Sequence, residues 1–314
     1  MMTKLLLCSD LDRTLLPNGS QEESPQARPL FRKLAQRPEL TLAYVSGRDR
    51  GLLLEAMQTY DLPVPDYAIG DVGTTLYEIH NDEWRAWPAW EEEIAPDWAG
   101  YRHDELAALF EDIADLTPQE AEKQNTFKLS YYAPMEIDHE ALLARMAARL
   151  KPRDIRASLI WSIDEARHTG LLDVLPRRAT KYHAIRFLMA HKGFDTGNTV
   201  FAGDSGNDLP ALTSGLQAVL VHNARQEVRE EALRAVREKG IAQCLYLAHG
   251  NFLGMNGNYA AGVLEGLAHF EPETLRWLGA TEDNPESVDS SSNKKQSKFA
   301  HSRGKKENNI DPPK

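Results

Sequence analysis

The chain has 314 residues, of which 42% are apolar and 26% charged, and its formal net charge at pH 7 is −11. This length fits one large or two modest domains with a packed core, and the presence of only two cysteines argues against a disulfide framework or a multi-cysteine zinc site. No apolar run approaches the roughly 20 residues that cross a bilayer, and an acidic body repels nucleic acids and anionic membranes. We therefore expect a soluble, cytoplasmic protein that binds neither nucleic acid nor membrane.

The first 80 residues predict strands that alternate with helices. The apolar runs KLLLCSD and, from Thr41, TLAYVSG are typical of strands buried on both faces of a parallel sheet, and helical spacing lies between them over residues 24–37. A second helical stretch follows Gly47 and ends at Pro63, and YAIGD and TTLYEI predict two more strands. Strands alternating with helices indicate an α/β sheet.

A change in composition near Asn81 predicts an inserted module. A helix–strand pattern runs through the segments NTFKLSYYA, EIDHEALLARMAARL, RASLIWSI and HTGLLDVLP, which indicates a small α+β domain over residues 81–173. The α/β pattern then returns, so residues 1–80 and 174–275 are predicted to form one discontinuous core. Four tryptophans at the start of the module are interpreted as packing rather than as sugar-stacking groups: Trp84, Trp87, Trp90 and Trp98.

The last segment, residues 281–314, is predicted to be a disordered tail. It is rich in Asn, Ser, Lys and Pro and has almost no apolar residues to bury. From Ser292 onward it carries a local charge of +5, which leaves −16 for the residues before it. A solvated tail is favoured over a basic arm that contacts RNA or another partner.

Four carboxylates lie at the ends of predicted strands. Asp10 and Asp12 follow the first strand, and Asp204 and Asp208 follow NTVFAG. Open α/β sheets bind ligands at the carboxyl ends of their strands, and unpaired carboxylates there are costly unless a cation or a reaction needs them. Asp10 and the later pair could form the all-oxygen shell that Mg²⁺ prefers. For Asp10 and Asp12 alone, a strand-end turn with Asx hydrogen bonds is an equally good interpretation.

Two further features suit an anion. Ser46 and Gly47 lie at a strand–helix junction, where a hydroxyl and backbone N–H groups can hold a phosphate oxygen. Lys181 opens a predicted helix, where its charge opposes the helix dipole unless an anion is nearby. Each has an ordinary alternative, helix capping for the serine and a solvated charge for the lysine.

The order of these motifs, DxDxT, SGR, Lys181 and GDSGND, resembles that of the haloacid dehalogenase (HAD) superfamily of phosphohydrolases. The inserted module resembles the superfamily's type IIB cap. The segments CSDLDRT, PDYAIGDVGTTLY, FKLSYY, DVLPRRATK, VHNA and AAGVLEGLAHF resemble the sucrose-phosphate phosphatase family, over nearly all of residues 4–270. The resemblance implies a Rossmann-like parallel-sheet core with an inserted α+β cap.

The resemblance also implies a role for each motif residue. Asp10 would be the nucleophile, and Asp12 the acid that protonates the leaving oxygen and then activates water. Mg²⁺ would be bound by Asp10, the main-chain carbonyl of Asp12 and Asp204, with Asp208 in support. The implied phosphate-binding residues are Thr14, Ser46, Gly47, Lys181 and Asn207. The candidates for sugar recognition are Arg48, Asp71, Gly73 and Lys128.

The implied function is Mg²⁺-dependent hydrolysis of sucrose 6-phosphate through an aspartyl-phosphate. The chain departs from the family's pattern at Tyr182–His183 and in the Gly/Asn-rich segment 249–258. Neither departure removes a catalytic residue, so both bear on the identity of the sugar rather than on the reaction. Mannosylfructose phosphate or another osmolyte precursor is the alternative substrate. An alternative of a different class is a catalytically silent sugar-phosphate-binding partner of the cognate synthase, although such a role would not need Asp12.

Overall fold

Short apolar runs of the sequence form the strands of two sheets in the computed structural model, which describes residues 4–165 and 167–279. The predicted tail lies outside these residues. The strands are β1 Leu5–Ser9, β2 Leu40–Val45, β3 Tyr67–Gly70, β4 Thr75–His80, β5 Glu83–Ala86, β6 Thr117–Pro118, β7 Leu129–Pro134, β8 Ala157–Asp164, β9 Thr169–Pro176, β10 Thr199–Gly203, β11 Gln217–Leu220 and β12 Leu245–Leu247. The helices are α1 Ala27–Ala35, α2 Arg50–Tyr60, α3 Pro88–Ile94, α4 His103–Ala108, α5 His139–Leu150, α6 Lys181–Lys192, α7 Leu209–Leu212, α8 Gln226–Glu238, α9 Ala260–Phe270 and α10 Glu273–Leu278.

The core sheet has the strand order β12-β11-β10-β1-β2-β3-β4-β5 and is parallel except for β4 and β5. Strand β1 is buried along its whole length. Leu5 and Leu7 pack with α1, α2, α9 and α10, whereas Leu6 and Cys8 pack with α3, α6, α7 and α8 on the opposite face. The predicted α/β core with helices on both faces is therefore confirmed.

The cap has a four-stranded antiparallel sheet of order β6-β7-β9-β8. Helices α4 and α5 cover one face through apolar side chains such as Leu106 and Met146. Tyr132, Ser162 and Asp173 line a cavity on the sheet's other face. This layer of two helices on one antiparallel sheet is the predicted α+β module.

The structure places the start of the cap later than residue 81. Strand β5 pairs with β4 through a tight turn at Asn81 and Asp82, and it extends the core sheet. Trp90 and Ile94 of α3 also pack in the core, whereas Trp98 packs in the cap. The change in composition at residue 81 thus marks the last hairpin of the core sheet, and we propose the domain boundary after Ile94. At the other end, residue 174 lies within β9, which continues to Pro176.

The interpretation of the tryptophans as packing groups is confirmed. Trp84, Trp90 and Trp98 are at most 7% exposed, each within an apolar cluster, and Trp87 is half-buried and packs against the cluster that contains Trp90. The sequence does not predict β12 and α10, because both are short and carry little of the apolar periodicity that reveals longer elements. Within residues 4–165 and 167–279, no helix is long and apolar enough to cross a membrane.

Candidate active site

The loops that follow β1, β10 and β2 meet at one edge of the core sheet, because β1 lies between the other two strands. Asp10 directly follows β1 and Asp204 directly follows β10. Carboxylate oxygens of Asp10, Asp204 and Asp208 lie within 4.8 Å of one another, and all three residues are buried. The predicted convergence of these acids is present in the structure.

Lys181 neutralises part of this acidic cluster. Its Nζ donates to Asp10 Oδ1 and to Asp208 Oδ1, both at 2.8 Å, and lies 3.4 Å from Asn207 Oδ1. Burial opposes the charge of Lys181, but Asp10 and Asp208 outweigh it and raise the pKa of this ammonium group. The lysine is therefore a fixed cation beside the predicted nucleophile. The side chain of Thr180 accepts a hydrogen bond from His183 N at 3.1 Å and so caps the helix that begins at Lys181.

The acid cluster carries more negative charge than the neighbouring lysine and arginine can balance. Burial raises the pKa of Asp10 to about 7, and Asp208 and Asp204 add to the rise while Lys181 opposes it. Burial and Asp208 raise the pKa of Asp204 to about 6, although Arg13 lies 3.4 Å away. Three hard oxygen donors with excess negative charge are the donor set that a small divalent cation such as Mg²⁺ requires. The cluster thus fits the predicted metal.

Asp12 lies apart from this cluster and pairs with Arg48. The guanidinium donates from Nε to Asp12 Oδ2 at 2.8 Å and from Nη2 to Oδ1 at 2.6 Å, and Asn18 Nδ2 donates to the same Oδ1 at 2.7 Å. Burial favours the protonated acid, but the hydrogen bonds and charge of Arg48 outweigh it and hold the pKa of Asp12 below its usual value. Arg48, a predicted sugar ligand, thus lies against the predicted acid–base residue.

The predicted phosphate-binding residues lie in loops at the same edge of the core sheet, and some of them contact Asp10. Thr14 Oγ1 lies 3.4 Å from both Asp10 Oδ2 and Asp204 Oδ1. Ser46 is buried at the end of β2, and its Oγ accepts a hydrogen bond from Arg48 N at 3.2 Å. Gly47 is exposed and lines the cavity beneath the cap. Thr14 and Lys181 contact the acid cluster directly, whereas Ser46 and Gly47 lie at the neighbouring strand end.

A cavity of about 390 Å³ lies between the core and the cap. Gly47 and Val72 of the core line it together with cap residues: Gln119, Lys123, Lys128, Tyr132, Ser162, Asp164, Arg167, Leu171 and Asp173. The cap is tied to the core around this cavity. Lys123 Nζ lies 3.3 Å from Asp49 Oδ2, and Asn125 Nδ2 donates to Thr74 Oγ1 at 2.9 Å. A small polar molecule could therefore be enclosed on both sides.

The remaining sugar candidates divide into two groups. Lys128 and Asp71 are both buried and form an ion pair of 3.7 Å between cap and core, and burial raises the pKa of Asp71 although Lys128 opposes the rise. Gly73 is not among the described residues that line the cavity. It has a φ of +98°, and a Cβ there would lie 2.7 Å from the Thr180 carbonyl carbon. Its close backbone approach is to the start of α6.

We predict that Gly73→Ala lowers both stability and turnover. Its methyl group would meet backbone next to Lys181 in a left-handed conformation, so the free energy of unfolding should fall by about 3 kcal/mol or more. A shift of Lys181 should reduce kcat about 100-fold. Gly100→Ala is the matched control, since Gly100 has a φ of +85° with nothing within 4 Å of its Cβ position. It should cost only about 1 kcal/mol and keep full turnover. Equal effects in both variants, measured by denaturation and phosphate release, would contradict the role of this close approach.

Sequence reasoning missed three residues near the site. Arg13 pairs with Asp204, Asn18 binds Asp12, and Asn223 Nδ2 donates to the Arg13 carbonyl at 2.6 Å. Asn223 Oδ1 in turn accepts from Tyr259 N at 2.8 Å, which ties the loop after β1 to the start of α9. The motif VHNA, noted above without a role for its residues, contains Asn223 and was the available signal.

The segment 249–258 packs against the loop after β1 rather than beneath the cap. Asn256 Nδ2 donates to the Glu22 carbonyl at 2.9 Å, and the buried carboxylate of Glu265 accepts from His249 N and Gly250 N at 2.9 and 3.0 Å. No residue of the segment lines the cap cavity within the described part of the chain. Its departure from the family pattern is thus placed away from the predicted sugar pocket.

The parallel core sheet, the inserted α+β cap and the acid cluster are those of a phosphoric monoester hydrolase of the HAD type, and similar proteins support this class. The family model described as sucrose-6F-phosphate phosphohydrolase matches residues 3–271. The chain belongs to this family, whose relatives include sugar-phosphate phosphatases.

Three similar proteins match this chain over most of its length. An HAD-like hydrolase of Nitrosococcus oceani is 60% identical over 278 residues, which is 88% of this chain and 75% of that protein. The mannosylfructose-phosphate phosphatase of Agrobacterium fabrum is 28% identical, over 84% of this chain and 96% of that protein. The solved structure of the sucrose-phosphatase of Synechocystis, in complex with sucrose and phosphate, has a TM-score of 0.64 and 26% identity, over 86% of this chain and 99% of that chain.

Proposed function

We propose that this protein is a Mg²⁺-dependent phosphatase that hydrolyses a disaccharide phosphate, with sucrose 6-phosphate as the first candidate. The observation that carries the proposal is the buried cluster of Asp10, Asp204 and Asp208 around Lys181. The similarity to a sucrose-phosphatase that binds sucrose and phosphate supports the substrate class. A cytoplasmic location, and the cognate sugar-phosphate synthase as a protein partner, belong to the same proposal.

In the proposed reaction, a carboxylate oxygen of Asp10 attacks the phosphorus atom while the bond to the sugar oxygen breaks. Asp12 gives its proton to the departing sugar oxygen. In the second half, Asp12 takes a proton from water, and the water oxygen attacks the aspartyl-phosphate and releases phosphate. Lys181 and Thr14 hold Asp10 in place from opposite oxygens. Positioning and electrostatics thus carry most of the transfer.

Four residues would hold the metal: Asp10, Asp12 through its main-chain carbonyl, Asp204 and, in support, Asp208. Bound Mg²⁺ would supply positive charge for the phosphoryl oxygens and for the anionic form of Asp10. The excess negative charge of the cluster supports this assignment, because burial makes the ionised acids unfavourable without a further cation.

The ion pair between Asp12 and Arg48 has to open for the first half of the reaction. Arg48 favours the anionic form of Asp12, which suits a base. To donate a proton to the sugar oxygen, Asp12 needs its acidic form, and the two hydrogen bonds that Arg48 donates to its carboxylate oppose that form. Movement of Arg48 from Asp12 toward a bound sugar would serve both needs.

The charges around the cap cavity suit a neutral sugar. Each cation that lines the cavity has a carboxylate partner: Lys128 with Asp71 at 3.7 Å, Lys123 with Asp49 at 3.3 Å and Arg167 with Asp164 at 3.8 Å. A carboxylated leaving group would have to break one of these pairs. Paired charges and hydroxyls can instead share hydrogen bonds with a polyol.

Mannosylfructose phosphate is the second candidate substrate. The mannosylfructose-phosphate phosphatase of Agrobacterium fabrum matches 84% of this chain at 28% identity, close to the identity of the sucrose-phosphatase match. Both sugars are neutral disaccharides, and the paired charges of the cavity suit either one.

Phosphate release over a panel of sugar phosphates, with Mg²⁺ or with chelator, tests the proposal. The panel contains sucrose 6-phosphate, mannosylfructose phosphate and simple hexose phosphates. We expect kcat/KM for one disaccharide phosphate to exceed that for hexose phosphates by about 100-fold or more, and chelator to abolish turnover. Uniform slow hydrolysis of the whole panel would contradict a disaccharide phosphatase, and full activity in chelator would contradict the metal assignment.

A further inference from the structure

The cap sheet ends in an edge strand without the usual protection. Strand β8 pairs with β9 over eight residues, and within the described residues no strand pairs with its other edge. Its first seven residues, ASLIWSI, contain no charge, proline or glycine. Two of the exposed large apolar residues of the described chain lie on it, Ile160 at 36% and Ile163 at 51%.

The other sheet edges of the described chain are short or interrupted. The opposite edge of the cap sheet, β6, has two residues and one is Pro118. The core sheet ends in β12, which has three residues, and in β5, which has four and carries Glu83 and Arg85. Short length, proline and charge are how folded proteins prevent edge-to-edge pairing. The long, uncharged edge of β8 is the exception.

We propose that β8 pairs with β8 of a second copy of this chain, antiparallel and about a two-fold axis through Ile160. A two-fold axis makes the contact self-complementary and closed, so a dimer forms rather than a fibre. The two caps then share one continuous eight-stranded sheet, since each contributes four strands.

The charges beside β8 favour this register and this partner. With Ile160 opposite itself, Ser158 faces Ser162, Leu159 faces Trp161 and Ala157 faces Ile163 of the second copy. The next pair sets Arg156 of one copy opposite Asp164 of the other. Within one copy Arg156 pairs with Asp97 at 2.9 Å and Asp164 pairs with Arg167 at 3.8 Å, so the contact between copies would extend these two pairs; the side chain of Arg156 is half exposed. Opposite charges therefore meet at both ends of an uncharged interface, an arrangement that stabilises cross-strand pairs.

The dimer would adjoin the cap cavity. Ser162 and Asp164 line that cavity, and Ser158 of the second copy would lie opposite Ser162. A contact of one strand from each copy buries less surface than a standard stable interface, so we expect a weak dimer with a concentration-dependent population.

Sedimentation velocity of the full-length chain over the micromolar range tests the proposal. We expect the wild-type chain to pass from monomer to dimer as its concentration rises. Ile160→Lys places like charges opposite each other across the axis, as does Ile160→Asp, and each should weaken the dimer about tenfold or more. An equimolar mixture of the two variants should associate again, because opposite charges then meet at the axis.

The controls separate this contact from general effects. Val64→Lys changes an exposed apolar residue at another surface and should leave the dimer unchanged. Both Ile160 variants should stay folded, with Ile160→Lys the more stable of the two, because residue 160 lies opposite Asp173 of β9 within the same sheet. A wild-type chain that stays monomeric at every concentration would overturn the proposal. So would Ile160 variants that dimerise like the wild type, or a mixture that stays monomeric when each variant alone does.

Discussion

Asp10→Asn is expected to reduce phosphate release by roughly a thousandfold or more, because an amide cannot form the covalent phosphoryl intermediate. The change removes one charge and almost no volume. The amide oxygen can still accept the hydrogen bond that Lys181 donates to Asp10 Oδ1. Because burial disfavours the anion at this position, neutralising it should not unfold the protein. Single-turnover phosphate release and thermal denaturation measure the two effects.

Glu265→Gln is the control for neutralising a buried acid. Glu265 is 4% exposed in the same domain, and it accepts hydrogen bonds from backbone N–H groups of the segment 249–258 rather than contacting the acid cluster. This variant should lose stability by about 1–3 kcal/mol and keep turnover within severalfold of the wild type. Unchanged turnover in Asp10→Asn would refute covalent catalysis by Asp10. An inactive wild type with tight sugar-phosphate binding would instead support the silent binding partner.

Raising the pH from 5 to 8 is expected to destabilise the metal-free protein, and Mg²⁺ is expected to reverse the loss. Burial raises the pKa of Asp10 to about 7 and that of Asp204 to about 6, both above the ordinary value of 3.8. The native state therefore binds more protons than the unfolded state between about pH 4 and 7, and the free energy of unfolding falls as the pH rises through that window. The summed effect should be on the order of a few kcal/mol.

An acid with a lowered pKa affects stability in a different pH range. The pKa of Asp12 lies below its usual value, so its contribution to stability is complete above that value and is lost only as the pH falls toward strong acid. Between pH 5 and 8 the slope should then reflect the buried cluster. Thermal midpoints at both pH values, with chelator and with Mg²⁺, measure the linkage.

Protons and metal compete for the same oxygens, so the increase caused by Mg²⁺ should be larger at pH 8 than at pH 5. Asp204→Asn should reduce both the pH dependence in chelator and the increase caused by Mg²⁺. KCl at equal ionic strength is the control for screening. A metal effect that KCl reproduces, or one that survives unchanged in Asp204→Asn, would contradict a cation site at this cluster.

The position of the candidate site follows from local sequence to a large extent. Asp10 and Asp204 each follow a fully apolar run, such runs form buried parallel strands, and the carboxyl ends of those strands share an edge. That reasoning needs no contact between distant residues. The core, the inserted cap and the packing role of the tryptophans could likewise be predicted from local patterns of apolar residues.

The role of Lys181 is harder to predict from the sequence alone. A lysine in the first turn of a helix is usually a solvated charge, and only its opposition to the helix dipole and the order of the motifs suggested otherwise. Its hydrogen bonds join residues 171 and 27 positions away along the chain. The same limit applies to Arg48, which the sequence suggested for the sugar and which lies on Asp12 in the structure. Side-chain partners of this kind depend on the packing of whole elements.

The sequence by itself determined the α/β class, the discontinuous core with its inserted cap, and the set of acids at the strand ends, because hydrophobic periodicity and strand polarity are local properties of a chain. The tertiary structure alone decided the pairing of β5 with the core sheet, the ion pair of Asp12 with Arg48, the paired cations of the cap cavity and the open edge of β8. Each of these depends on which surfaces meet when the elements pack, and residues far apart in the chain decide that together.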